Sequence, residues 1–218
     1  MQLYIYGGGM STDSPRRPGA RDRRRRHTRD AIVQAALDLA VEEPSGRLTA
    51  ERIAERAGVS RRTFFNYFPS VESALFDPVQ QLLRVAVERL EQIPTDVPLL
   101  NSLTRAMTAA AEEEPLERLG ICAHVGARLP QLRGSDLEQW DVADALLSEA
   151  FGDRYPVLDP FLTRCLTGAV IGACRAAVQE WDRAGGLSAD DPAGVLHALL
   201  HAALRHVSTG FGPLVDAT

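Results

Sequence analysis

The sequence contains no lysine, and all 24 of its basic residues are arginine. Because this bias runs through the whole chain, it indicates the codon usage of a GC-rich genome rather than a chemical function. Cysteine is scarce: positions 122, 165 and 174 make an odd set without the spacing of a metal site. This pattern excludes a disulfide framework and favours a reducing compartment, so we expect a cytoplasmic protein.

Long apolar runs and targeting signals are also lacking. No run of about 18 consecutive apolar residues occurs, so we expect no membrane-spanning segment. The segment Met1–Met10 lacks the basic region and the long apolar core of a secretory signal. The chain also shows no nucleophile–base pair, phosphate-binding loop or set of metal ligands, which argues against an enzyme, a cofactor or a metal centre.

Charge is divided unevenly along the chain. Residues 1–80 hold 13 arginines and 10 acidic residues, whereas residues 81–218 hold 11 arginines and 19 acidic residues. The first part therefore carries +3 and the second −8, within a total of −5. This asymmetry is typical of a DNA-facing N-terminal part attached to an acidic body.

The stretch from Thr49 to Phe68 predicts two short helices joined by a tight turn. Thr49 suits the N-cap of the first helix, and Ser60 suits that of the second. Gly58 stands where the first helix must end, a position that often requires a positive φ. The pattern is that of a helix-turn-helix, whose second helix would enter the major groove of DNA.

This stretch resembles the TetR family of bacterial transcription regulators through the pattern T-x-x-x-I-A-x-x-A-G-V-S-x-x-T-F-x-x-Y-F. The matching residues are Thr49, Ile53, Ala54, Ala57, Gly58, Val59, Ser60, Thr63, Phe64, Tyr67 and Phe68. The chain shows no strand signal, so we expect an all-α fold of about nine helices. We expect a disordered tail with an arginine-rich arm at 1–27, a DNA-binding domain at 28–75, and a ligand-binding and dimerisation domain at 76–218.

The second helix of the motif carries side chains that can read bases. Arg61 and Arg62 lie in its first turn, where a guanidinium can bind both O6 and N7 of guanine. Asn66 suits adenine, and Phe65 suits a thymine methyl group. The resemblance implies that Thr49, Thr63 and Tyr67 hold phosphates. The predicted DNA-contacting set is Thr49, Ser60, Arg61, Arg62, Thr63, Phe65, Asn66 and Tyr67, with Arg24, Arg25 and Arg26 of the arm.

The run Arg21–Arg29 has two interpretations that are compatible in the free protein. It is either a solvated charge run or a basic arm that reaches phosphates or a minor groove. The resemblance implies a lysine–phosphate contact at the position where this chain has Val71. An arginine-rich arm could compensate for that lost contact.

One reading unit buries too little surface for tight specific binding, so we expect a homodimer on a palindromic operator. The resemblance implies that the last two helices form the dimer interface as a four-helix bundle. The candidate interface residues are Gly168, Gly172, Ala176, Leu196, Leu200 and Leu204. The same apolar positions could instead form a core within one chain.

The resemblance also implies a pocket for a small-molecule effector within residues 97–184. The candidate lining residues are Met107, Cys122, Val125, Trp140, Ala143, Leu147 and Val178, whose helical spacing is equally that of ordinary core. Arg128 or Arg175 could meet an acidic ligand. The segment L-P-Q-L-R before Trp140 and the segment A-A-V-Q-E-W ending at Trp181 resemble a subgroup whose C-terminal domain binds acyl-CoA-like ligands.

The function favoured by these patterns is a homodimeric repressor that a small apolar or amphipathic ligand releases from its operator. A DNA-binding regulator without an inducer, or an activator, is the alternative interpretation. An enzyme that carries a vestigial helix-turn-helix is the remote alternative.

Overall fold

The structure, a computed structural model, describes residues 20–43, 48–128 and 133–210. The described residues form ten α-helices and one 3-10 turn and contain no strand, which confirms the all-α class. The helices are α1 (Ala20–Glu42), α2 (Ala50–Arg56), α3 (Arg61–Tyr67), α4 (Val71–Leu75), α5 (Asp77–Gln92), α6 (Leu99–Glu113), α7 (Leu116–Arg128), α8 (Arg133–Arg154), α9 (Pro160–Arg183) and α10 (Pro192–Thr209). Two predicted features lie outside the described residues: the tail before residue 20 and residues 129–132 of the L-P-Q-L-R segment.

The first helix begins at Ala20, although the DNA-binding domain was expected to begin at residue 28, so the arginine-rich arm from residue 20 onward is helical rather than disordered. Thr28 does not start a helix, because its hydroxyl donates to the carbonyl of Arg24, 3.0 Å away within the same helix. Arginine is also a good helix former, so the run extends a helix that packing stabilises further along. The prediction of a disordered arm is therefore wrong for residues 20–27.

The described residues contain one helix more than the expected nine, because the segment after the helix-turn-helix forms two helices, α4 and α5, instead of one. Ser70 caps α4 in a capping box with Ser73. Phe76 then separates α4 from α5, and Pro78 occupies the first turn of α5, where its missing N–H costs nothing. The Asp77 carboxylate makes no capping hydrogen bond at the start of α5 and instead accepts hydrogen bonds from Arg29.

Two apolar clusters form the core. The N-terminal cluster joins α1 to α4 and includes Ile32, Ile53 and Phe64. The C-terminal cluster joins α5 to α10 and is centred on side chains such as Leu103 and Trp181. Helix α7 belongs to both clusters, since its first turns pack in the C-terminal cluster and its later residues Cys122 and Val125 pack in the N-terminal one. Helix α7 lies after the predicted domain boundary at residue 76 in the sequence, yet part of it packs in the core of the N-terminal domain.

Helix α9 is long and apolar enough to cross a membrane by length and composition alone, with a mean hydropathy of 1.4 over its most apolar window. Its inner side contributes Val170, Ile171, Cys174 and Trp181 to the C-terminal cluster. The Trp181 indole N–H donates to the carbonyl of Pro192 at 2.8 Å, which ties the end of α9 to the start of α10. Such a helix is equally expected in the core of a globular protein.

Gly120 of α7 lies against the Trp181 ring, and a Cβ at this position would be 2.9 Å from two ring carbons. We expect Gly120→Ala to reduce the free energy of unfolding by about 1–3 kcal/mol, because the added methyl overpacks the core. Gly152→Ala in α8 is the control, since a Cβ there meets nothing within 4 Å. The control should be neutral or more stable by up to about 1 kcal/mol. Urea titration measures both, and equal stability of the two variants would contradict the packing described.

Candidate DNA interface and effector cavity

The helix-turn-helix is built by its own caps and its turn. Thr49 accepts a hydrogen bond from the backbone of Arg52 at 3.3 Å, and Ser60 accepts one from the backbone of Thr63 at 3.0 Å. Gly58 between the two helices has a φ of +66°, a left-handed conformation that glycine adopts without strain. The local signals in the sequence therefore predicted this unit correctly.

Helix α3 has a buried side and an exposed side. Phe64 and Phe68, spaced i, i+4, are buried in the N-terminal cluster. The side chains that were predicted to contact DNA are all accessible on or beside α3. Ser60, Arg61, Arg62, Phe65 and Asn66 are exposed, and Thr49, Thr63 and Tyr67 are half-buried. Because the buried phenylalanines hold α3 by one side, the opposite side is presented rigidly to solvent.

Among the residues predicted to contact DNA, Arg61 contacts both an acidic and an aromatic side chain of the protein itself. Its guanidinium lies 2.7 Å from the Glu51 carboxylate of α2 and 5.5 Å from the centre of the Phe65 ring. Both charged side chains are more than half exposed, so the ion pair contributes little stability. Arg61 is thus oriented by neighbours that a DNA phosphate or base can replace at small cost.

The arm residues Arg24, Arg25 and Arg26 are exposed on the first turns of α1. They are carried by a helix rather than by a flexible chain, so their directions are set by α1. Val71, which stands where the family pattern has a lysine, is half-buried against the N-terminal cluster. It contributes apolar packing at the start of α4.

A junction of charged side chains joins the N-terminal helices that carry the helix-turn-helix to α5, the first helix of the C-terminal part. The sequence analysis did not predict this junction. The Asp77 carboxylate, at the start of α5, accepts two hydrogen bonds from the Arg29 guanidinium of α1, at 2.5 and 3.2 Å. Arg84 of α5 donates to the same carboxylate at 3.4 Å. The Arg29 guanidinium also lies 4.4 Å from the centre of the Phe68 ring, at the end of α3. We call these residues, Arg29, Phe68, Asp77 and Arg84, the Asp77 junction.

A partly enclosed cavity of about 280 Å³ lies among α5, α7, α8 and α9. Three of the predicted pocket residues, Cys122, Trp140 and Val178, lie in its wall. Four others do not line it, because they are packed inside the two clusters: Met107, Val125, Ala143 and Leu147. For these four the alternative of ordinary core is correct. Prediction missed Phe76, Val79, Leu119, Ala123, Gln179, Asp182 and Arg183 of the wall, and anticipated Arg175 only as a possible ligand contact.

Two of the three cysteines, Cys122 and Cys174, are buried, whereas Cys165 is exposed. The Cys122 thiol donates to the carbonyl of Leu75 at 2.9 Å, linking α7 to the end of α4. Burial raises the pKa of the Cys122 thiol far above its ordinary value and raises that of Cys174 to about 12. Thiols held in the protonated form are poor nucleophiles, so neither is suited to sensing oxidants.

The predicted dimer interface divides into two sets. Gly168, Gly172 and Ala176 are exposed along the outer side of α9 and leave that side free to contact another helix. The leucines at 196, 200 and 204 do not share this surface. Leu196, Leu200 and Leu204 are at most 3% exposed inside the C-terminal cluster. Their assignment to the interface was wrong, because their stripe faces the protomer's own helices.

Comparison with known proteins points to one family. Residues 32–75 match the family model for bacterial regulatory proteins of the tetR family. The HTH-type transcriptional regulator TcmR of Streptomyces glaucescens is 27% identical over 178 residues, which cover 77% of this chain and 79% of that protein. EthR of Mycobacterium tuberculosis is 27% identical over 132 residues, 57% of this chain and 61% of that protein.

Among solved structures, the fatty acid degradation regulator FadR from Bacillus halodurans has a similar fold. Its TM-score is 0.53 at 20% identity, and the match covers 92% of this chain and 99% of that one. A TetR-family regulator from Mesorhizobium loti gives 0.50 at 16% identity and covers 86% and 98%. At this level of identity the likeness extends to the fold, and the ligand has to be inferred from the cavity itself.

We expect Arg29 and Asp77 to be energetically coupled. Arg29→Met or Asp77→Asn should each lower the free energy of unfolding by about 1–3 kcal/mol, because each removes the shortest ion pair of a group that is at least partly buried. The double variant should lose less than the sum of the two, and the difference measures the coupling, about 0.5–3 kcal/mol. Urea titration of the four proteins gives this value. Additive losses would mean that the pair does not hold the two parts together.

Proposed function

We propose, for a chain that belongs to the TetR family of DNA-binding transcriptional regulators, that it is a homodimeric repressor acting in the cytoplasm. A small apolar or amphipathic ligand would release it from a palindromic operator. The observation that carries the DNA-binding part is the exposed side of α3, where Arg61, Arg62 and Asn66 project from a helix held by buried phenylalanines. Arginine on guanine and asparagine on adenine are the pairings that this surface supports in the major groove.

The arginine-rich arm would add binding free energy that does not depend on the DNA sequence. Arg24, Arg25 and Arg26 would neutralise phosphates beside the site read by α3, and each neutralised phosphate releases counterions. The helical arm holds these charges on the same rigid helix as Arg29, which contacts the end of α3 through Phe68. Arm and reading helix would therefore dock on DNA as one body.

Dimerisation would use the outer side of α9. Gly168, Gly172 and Ala176 recur at intervals of four residues and form a smooth exposed stripe on which a second helix can pack closely. A two-fold dimer through this stripe would present two α3 helices to successive half-sites of an operator. The leucines of α10 would stabilise the protomer and support the interface from behind.

Release by a ligand would run through the break between α4 and α5. Phe76 and Val79 line the cavity, and Asp77 lies between them in sequence and belongs to the Asp77 junction. A ligand that displaces these wall residues would move Asp77 relative to Arg29 and hence α3 relative to the body. It acts only if it binds the released arrangement more tightly than the DNA-bound one.

Selection of genomic fragments bound by the protein gives its operator, and variants then test the reading helix. Arg61→Ala and Arg62→Ala should each weaken operator binding by about tenfold or more, and the loss should fall mainly at one base position, as expected for a bidentate base contact. Arg105→Ala, an exposed arginine of α6, is the control. Fluorescence anisotropy measures the affinities. If a variant with both Arg61→Ala and Arg62→Ala kept full operator affinity, α3 would not be the helix that reads DNA.

Gly172 and Gly152 form a matched pair for testing the interface, since a Cβ at either meets nothing within 4 Å of the protomer. Gly172→Arg should convert the dimer to a folded monomer, because a long charged side chain would occupy the proposed interface. Gly152→Arg on α8 should leave the dimer intact. Sedimentation velocity at micromolar concentration distinguishes the two, and a monomeric wild-type protein would end the dimer proposal.

A further inference from the structure

We propose that the ligand of the cavity is a compact apolar carboxylate whose acid group binds Arg175. This inference rests on the proposed function, since it names the chemical class of the effector. It starts from a charge without a partner. Arg175 is half-buried in the cavity wall, and within the described part of the chain its guanidinium makes no hydrogen bond or ion pair. A cation kept partly from water in an apolar wall is costly unless an anion joins it.

The other charged groups of the wall already have partners. Arg183 lies 3.5 Å from Glu180 on the outer side of α9, and its side chain is 74% exposed. The Asp182 carboxylate lies 3.2 Å from a ring nitrogen of His124. Asp182 follows Arg175 by seven residues, which places it roughly 10 Å further along the helix. An anion at Arg175 is therefore separated by two helical turns from Asp182, the one acidic side chain among the described residues of the wall.

Apart from Gln179, the rest of the described wall is apolar and comes from four helices. Its members are Phe76, Val79, Leu119, Cys122, Ala123, Trp140 and Val178. The thiol of Cys122 is engaged with the Leu75 carbonyl, so the polar groups left for a ligand are those of α9. Ligand chemistry with one apolar body and one acidic end matches this distribution.

Size limits the apolar body. The cavity of about 280 Å³ is roughly twice the 150 Å³ that holds a benzene molecule in an apolar protein cavity. A bicyclic aromatic ring system or a medium-length alkyl chain would fill it. A coenzyme A group would have to lie outside, so the free acid is the form that matches the space enclosed.

The geometry of the Arg175 guanidinium predicts a measurable preference for carboxylic acids over amides of the same shape. Arginine presents two parallel N–H groups that match the two oxygens of a carboxylate, whereas an amide of the same shape offers one oxygen. We expect the wild-type protein to bind 2-naphthoate and octanoate more tightly than 2-naphthamide and octanamide by roughly tenfold to hundredfold. Quenching of Trp140 fluorescence in the cavity wall reports binding, and Trp140→Phe identifies the signal.

Arg175→Met is the decisive variant, because it keeps the length of the side chain and removes the charge. It should bind acids and amides equally, whereas Arg164→Met, which changes an exposed arginine of the same helix outside this cavity, should keep the preference for acids. Urea titration confirms that both variants are folded. Equal binding of acid and amide to the wild type, a preference for acids that survives in Arg175→Met, binding of octanoyl-CoA alone, or no binding of any probe would each overturn the inference.

A second measurement separates this inference from the proposed function. Each probe is added to the protein bound to its selected operator. Neutral probes that bind best and release DNA would overturn the carboxylate while the repressor proposal stands. Acids that bind through Arg175 without weakening DNA binding would support the ligand class and count against release by this ligand.

Discussion

The ion pair between Asp77 and Arg29 is the contact on which the arrangement of the molecule depends. Asp77 begins the helix that leads into the body, and Arg29 belongs to the helix that supports the reading unit. Arg29 also stacks on Phe68, the residue that ends the reading helix. One guanidinium thus contacts the start of α5 and the end of α3 at once, so the position of α3 is tied to that of the body.

This arrangement explains why the break between α4 and α5 occurs where it does. A continuous helix would leave no point at which the reading unit could turn relative to the body. Phe76 interrupts the helix, and Pro78 restarts it without losing a hydrogen bond. Phe76 and Val79, on either side of Asp77 in the sequence, line the cavity, so the cavity wall and the ion pair share one short segment. Helix α7 supports both parts, because Cys122 holds the end of α4 while Leu119 packs in the body.

The features predicted correctly are those that depend on neighbours in the sequence. The caps at Thr49 and Ser60 and the turn at Gly58 follow from hydrogen bonds and φ angles within a few residues. The errors concern choices among partners that are distant in the chain. A leucine stripe on α10 has the same spacing whether it faces a second protomer or α6 and α9 of its own chain. The arm was expected to be disordered because its composition is polar, yet the packed helix that follows it continues through it.

The sequence by itself determined the helical class and the helix-turn-helix, because local periodicity and capping specify them. Only the tertiary structure decided which of the predicted pocket residues enclose space. Cys122, Trp140 and Val178 border the cavity, whereas Ala143 and Leu147 at similar spacing are core. The reason is that the hydrophobic effect is not directional. An apolar side chain gains a similar free energy from burial against any apolar partner, so the sequence alone does not identify that partner. The pairing of Asp77 with Arg29, 48 residues apart, likewise follows from the packing of α1 against α4, which α5 directly follows.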